Sequence, residues 1–166
     1  MLLFKGPRDQ LLSPLQAVCG IVEKRHTLPI LSNVLMEKNG EKLTLLATDI
    51  EIQITTQTPT QGAEKASMTV GARKMQDILR SLPESAEVSL TLDNKRLQLK
   101  AGKSRFNLQT LPAEDFPRMA TSDGQASRLS LTQKQMKRLL GLVQYAMAQQ
   151  DIRYYHIGLL LVANGR

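Results

Sequence analysis

Val34-Leu35-Met36-Glu37-Lys38-Asn39-Gly40-Glu41-Lys42-Leu43-Thr44-Leu45-Leu46-Ala47 sets two short apolar runs on either side of Asn39-Gly40. Asn-Gly between such runs is a strong local signal for a two-residue hairpin, because both residues tolerate the positive φ that tight turns need. Residues 34–37 and 42–47 therefore read as paired strands. Upstream, 2–5 is a short apolar run that reads as a strand, and the helical pattern after it places Leu11, Leu12, Leu15 and Val18 on one side. Ser13-Pro14 makes a good cap and first-turn pair, so that helix either starts there or begins near Asp9 and bends. Downstream, 51–56 alternates Ile52 and Ile54 with polar neighbours and reads as a third strand. The unit is β-α-β-β-β.

The same order recurs. Residues 68–70 read as a strand, 72–82 as a helix with Met75, Ile78, Leu79 and Leu82 inward, 88–92 as a strand, then 96–101 and 105–111 as two more. A shift of 54 lays Asn39-Gly40 on Asp93-Asn94, Leu43 on Leu97, Leu45 on Leu99, Ala47 on Ala101 and Thr56 on Thr110. Two similar halves make one α+β domain over residues 1–120. With Pro112, Pro117, Ser122, Gly124 and Ser127, residues 112–128 lose the periodicity, and 121–128 read as a linker. After it the beginning returns: a shift of 125 places Gln10 on Gln135, Leu15 on Leu140, Val18 on Val143, Leu35 on Leu160 and Asn39-Gly40 on Asn164-Gly165. The repeat period is a whole domain, not a solenoid unit. Residues 129–166 then read as the incomplete start of a second domain: a helix over about 132–147, with Met136, Leu139, Leu140, Val143 and Met147 buried, and a strand over 158–162 with no following partner.

Composition narrows the function. In 166 residues, 42% are hydrophobic and 22% charged, which is ordinary for a globular chain. No run approaches the ~18 apolar residues of a membrane span, and the N-terminal apolar run is too short for a signal-peptide core, so a cytoplasmic location is expected. One cysteine, Cys19, excludes an internal disulfide, and with only His26 and His156 beside it there is no recognisable metal-ligand cluster. No cofactor is expected. Cys19 next to Val18 on an apolar helical face reads as a buried small side chain, not as a nucleophile paired with His26. His156 reads as structural or exposed, Asp49 and Glu51 as a solvated turn, and no Gly-rich phosphate loop is present. Enzyme chemistry has no support.

The charge balance points elsewhere. Lys and Arg total 22 against 15 Asp and Glu, a net +7, which favours a polyanionic partner. Residues from 121 onward hold six basic and two acidic side chains, or +4 of that total. With three Tyr, three Phe and no Trp, stacking platforms for single strands are poorly supplied, and phosphate contact fits better. On the first domain's second helix, Arg73, Asp77 and Arg80 are spaced i, i+4, i+7 opposite the apolar stripe. The later helix shows Lys134, Lys137 and Arg138 on its outer face. Strand 105–111 places Phe106 and Leu108 on one face and Arg105 and Asn107, after Lys103, on the other; as the last strand of its unit it is a candidate edge.

Six motifs in order, Arg25-His26-Thr27-Leu28-Pro29-Ile30-Leu31, Ala47-Thr48-Asp49-Ile50-Glu51, Ala72-Arg73-Lys74, Ser104-Arg105-Phe106, Thr110-Leu111-Pro112-Ala113-Glu114-Asp115-Phe116-Pro117 and Arg153-Tyr154-Tyr155, make the chain resemble the bacterial DNA polymerase III beta subunit, the sliding clamp. The resemblance runs along essentially the whole chain. It implies a DNA-clamp fold, with helices on one side and sheets on the other, in a ring of two subunits of three similar domains each. It implies a non-enzymatic processivity factor whose helices meet duplex DNA without reading sequence. By the same resemblance Arg25, Arg73, Arg80, Lys137 and Gln150 are DNA-facing candidates. Lys74, Ile78, Lys103, Arg105, Phe106 and Leu108 correspond to the first domain's side of the subunit interface, where the edge strand extends a partner's sheet.

The chain departs from the family pattern at His156-Ile157-Gly158, where Leu-Asn-Gly is usual. The family's DNA polymerase and clamp loader dock in a cleft between the second and third domains, which this chain does not carry. It is expected to be an N-terminal fragment that does not close a normal ring alone. The alternative is a stand-alone module that caps or inhibits a complete clamp through 103–108.

Overall fold

The structure is a computed structural model that describes residues 1–22, 28–119, 129–149 and 151–162. The chain divides into two compact units, Met1–Ala120 and Thr121–Arg166.

In the first unit the elements run β1 (Leu2–Pro7), α1 (Arg8–Cys19), a 3-10 turn (Pro29–Ser32), β2 (Asn33–Asn39), β3 (Lys42–Thr48), β4 (Gln53–Pro59), β5 (Lys65–Gly71), α2 (Ala72–Ser81), β6 (Glu87–Asp93), β7 (Arg96–Ala101) and β8 (Ser104–Leu111). This is the β-α-β-β-β order twice. The hairpin turns sit one residue later than the Asn39-Gly40 reading: Asn39 faces Lys42, Asp93 faces Arg96 and Ala101 faces Ser104. Each loop opens on a residue of positive φ, Gly40, Asn94 or Gly102, where glycine and asparagine pay the least strain.

Pairing is less local than the repeat implies. The strand order is β1-β6-β7-β8-β5-β2-β3-β4. β1, the opening strand of the first half, pairs with β6 of the second, and β5, the opening strand of the second half, pairs with β2 of the first. Each half-sheet thus contains the other half's first strand. The two half-sheets meet through only two pairs between β5 and β8, Thr69 with Leu111 and Val70 with Thr110.

One main core lies between the helices and the sheet. Leu11, Leu15 and Val18 of α1 and Met75 and Leu79 of α2 are fully buried with Leu3, Val34, Leu43, Leu45, Leu90, Leu97 and Leu99. α1 begins at Arg8, as in the reading that starts the helix near Asp9, and carries Pro14 inside it. Proline removes the N–H that would bond the carbonyl four residues back. That carbonyl, on Gln10, instead accepts from Thr58 Oγ1 at 2.8 Å, and Thr56 Oγ1 donates to Pro14 O at 3.1 Å. β4 supplies the donor that the helix lacks.

A second, smaller core covers the other face of the sheet. Leu35 and Leu46, opposite one another on β2 and β3, are covered by Ala113 and Phe116. The segment 112–119, which has no strand or helix periodicity in the sequence, is a packed strap. Arg118 is bidentate to Glu37, and Met119 N–H donates to Gln53 Oε1 at 3.0 Å. The proposed linker 121–128 lies outside the described residues.

A buried lysine ties the two ends of the sheet order together. Lys38 Nζ donates to Leu2 O at 3.1 Å, to Glu64 Oε2 at 3.1 Å and to Gln61 O, and Thr60 Oγ1 donates to Leu3 O at 2.7 Å. Its own backbone amide first, then the Lys38 ammonium, hold the Glu64 carboxyl below its usual range.

In the second unit α3 spans Gln133–Val143 and two 3-10 turns, Gln144–Ala146 and Tyr154–His156, follow. Thr132 caps it with a reciprocal pair: Gln135 N donates to Thr132 Oγ1 at 3.2 Å and Thr132 N to Gln135 Oε1 at 2.9 Å. The apolar stripe is not buried, contrary to the sequence reading: Leu139, Leu140 and Val143 are exposed, Met136 and Met147 half-buried. Residues 158–162 form no strand either. The physical reason is the lack of partners. α1 hides its equivalent stripe because β3, β4 and α2 lie against it, and a strand needs a neighbour to satisfy its backbone. Among the described residues of this unit nothing plays those parts. No helix of the described residues is long and apolar enough to cross a membrane.

Candidate nucleic-acid interface and open strand edge

α2 carries the first group of candidates. Its sequence alternates apolar and charged positions at helical spacing, so Ala72, Met75, Gln76 and Leu79 go into the core and leave Arg73, Lys74, Asp77 and Arg80 exposed. Arg80 stands in the last turn, where a cation also suits the helix dipole. Arg73 donates to the carbonyl oxygen of Val22, just beyond α1. The two helices converge on Cys19, which is 6% exposed. Burial pushes the Cys19 thiol up to about 11, against the pull of Arg73 and Arg80, with Asp77 adding to the rise. A thiol so protonated is a poor nucleophile.

The other DNA-facing candidates are spread. Lys137 is exposed on α3 in the second unit, beside exposed Lys134 and Arg138. Arg25 and Gln150 lie outside the described residues, as does His26. The structure therefore brings Arg73 and Arg80 together on one helical surface. His156 is exposed, its ring centroid 4.7 Å from that of Tyr155. Asp49 closes the β3–β4 turn by accepting from the amides of Glu51 at 2.9 Å and Ile52 at 2.6 Å.

The second group gathers around β8. Pairing with β7 runs from Ser104 to Gln109, but β5 joins only at Thr110 and Leu111, so the outer edge over 104–109 has no strand beside it among the described residues. Arg105 and Asn107 are exposed on that stretch and Lys103 in the turn before it. Phe106 is half-buried against the main core and Leu108 is 5% exposed within it, so these two anchor the edge from below. Where β8 parts from β5, a cleft of about 430 Å³ is lined by Lys74, Asn33, Gly71, Asn107, Leu108 and Gln109, among others. Lys74 is thus brought to the same place as β8, and Ile78, one turn along α2, is half-buried. Gln109 is missing from the sequence reading although the same two-residue period that exposes Arg105 and Asn107 exposes it.

The described residues hold no cluster of three or more potential metal ligands, and the charged groups face solvent along a helix and an edge. Such surfaces bind by charge and by backbone pairing.

Comparison with known proteins agrees with the fold. The family model "DNA polymerase III beta subunit, N-terminal domain" matches residues 2–120. The beta sliding clamp of Pseudomonas aeruginosa is 45% identical over 163 residues, 98% of this chain and 44% of that protein. The beta sliding clamp of Escherichia coli K12 is 43% identical over 164 residues, again 98% and 44%. The crystal structure of the P. aeruginosa subunit superposes with a TM-score of 0.86 at 43% identity, covering 94% of this chain and 42% of that one. The Caulobacter crescentus subunit gives 0.85 at 40% identity, covering 93% and 41%. The chain spans less than half the length of these relatives.

Proposed function

The chain belongs to the DNA polymerase III beta subunit family, and from that premise we propose that it supplies the first domain and the start of the second of a DNA sliding clamp. The clamp encircles duplex DNA and keeps a replicative polymerase on its template without catalysing a reaction itself. The observation that carries this reading is the pair of exposed arginines, Arg73 and Arg80, on one surface of α2. Cations there touch phosphates of any sequence, each contact weakening with salt by counterion release, so a protein held by topology is free to slide. Arg25, Lys137 and Gln150 complete the proposed DNA-facing set. The open 104–109 edge, with Lys74, Ile78, Lys103 and Arg105 around it and Phe106 and Leu108 beneath it, is the proposed subunit contact, where a second subunit adds a strand.

The test is a chimera in which this chain replaces the matching part of the P. aeruginosa clamp. Loaded on nicked circular DNA it stays bound, and it is lost when the circle is cut. Equal retention on circular and linear DNA contradicts encirclement. The same open edge favours a second reading, in which the chain caps a complete clamp. That reading requires a discrete complex with the intact P. aeruginosa clamp in native mass measurements, and free components in the spectrum eliminate it.

A further inference from the structure

Arg73 is exposed, but it is not a loose cation. Its guanidinium holds the carbonyl oxygen of Val22, a residue 51 positions earlier whose own side chain is 1% exposed in the core. Val22 N–H in turn bonds Cys19 O at 3.2 Å. The turn that ends α1 is thereby fastened to α2 through one arginine. The Arg80 side chain, two turns further along α2, donates no hydrogen bond among the described residues. The difference matters because a guanidinium presents five N–H groups in a fixed plane, so it holds a carbonyl with one edge and keeps others for an anion. An ammonium on a flexible stem does not replace that geometry. A side chain already fixed also loses less freedom when a ligand arrives.

We propose that Arg73 is a latch and a pre-set phosphate contact at once: it holds the end of α1 against α2, and that bond positions its remaining donors for the DNA backbone. This rests on the duplex-DNA reading above. It separates Arg73 from Arg80, which acts as a simple mobile charge.

The single thiol provides a direct readout, since Cys19 is nearly buried beside the latch. Maleimide labelling of Cys19 is timed in the 166-residue chain and in Arg73→Lys, Arg73→Gln and Arg80→Lys. The same proteins are titrated with a short mixed-sequence duplex at low salt. Loss of a charge-assisted bond that restrains a local opening raises labelling about tenfold in both Arg73 variants, with Arg80→Lys unchanged. Duplex affinity falls about equally in Arg73→Lys and Arg73→Gln, because the lysine keeps the charge but not the preset geometry, and it falls less in Arg80→Lys than in Arg73→Lys, because Arg80 has no preset geometry to lose. Wild-type labelling and binding by Arg73→Lys overturn the inference, because charge alone then suffices. Faster labelling with unchanged binding overturns the phosphate role and leaves a latch only. If the unsubstituted chain binds no duplex, the DNA reading fails for this chain, and the labelling rates still accept or reject the latch.

Discussion

Thr58 shows how one hydroxyl makes an unfavourable residue tolerable. Pro14 leaves the Gln10 carbonyl without its helical donor, and Thr58 Oγ1 takes that place from the neighbouring strand while itself only 3% exposed. Thr58→Val keeps the shape and removes the donor, so it costs about 1–3 kcal/mol in urea unfolding. In a Pro14→Ala background the helix recovers its own N–H and the cost of Thr58→Val shrinks; equal costs in both backgrounds would show that the hydroxyl does not serve that carbonyl. The thiol gives a pH prediction at the same scale. The Cys19 pKa rises from 9.0 to about 11 in the folded chain, so between these values the unfolded state has released a proton that the folded state retains. Stability falls as pH rises through that window, and Cys19→Ala removes this part of the fall in unfolding curves between pH 8 and 11. Neither Thr58 nor the Arg73–Val22 bond is legible in the sequence, because each joins residues more than 45 positions apart, and no local pattern marks the pairing.

At the level of elements, what was legible was what short-range chemistry dictates. The Asn39-Gly40 hairpin, its copy at Asp93-Asn94 and the amphipathic α2 are encoded within a few residues of themselves. The exchange of β1 and β5 between halves is not, since a strand's own alternation says which face is buried but not which neighbour it joins. The strap 112–119 escaped for a different reason: prolines and acidic residues mask two apolar anchors, Ala113 and Phe116. Phe116→Ala uncovers Leu35 and Leu46 and costs about 3 kcal/mol or more in unfolding. Loss of under 1 kcal/mol would mean that the strap merely rests on the sheet. The edge candidates divide similarly: period-two alternation identifies Arg105 and Asn107, whereas the burial of Leu108 follows from the core beneath it.

For the molecule as a whole, the two units differ in how much of their apolar surface is covered. Met1–Ala120 buries its apolar residues in a main and a smaller core, whereas α3 leaves Leu139, Leu142 and Val143 exposed and Leu160 is 91% exposed. Contiguous exposed apolar surface of this kind binds partners or dyes. A chain ending at Ala120 therefore keeps a single cooperative unfolding transition and loses most of the binding of a hydrophobic dye shown by all 166 residues. Dye binding that survives removal of residues 121–166 would locate the exposed surface in the first unit instead.

The reciprocal placement of β1 and β5 carries a historical implication. An isolated half of this fold would have a gap where its own opening strand had left, and only a twin could fill it. The single-chain domain is thus equivalent to an intertwined pair of identical small proteins whose ends were later fused. Severing the backbone at the 60–64 loop should recreate that condition: two polypeptides, each incomplete alone, that regain structure by mutual completion when mixed.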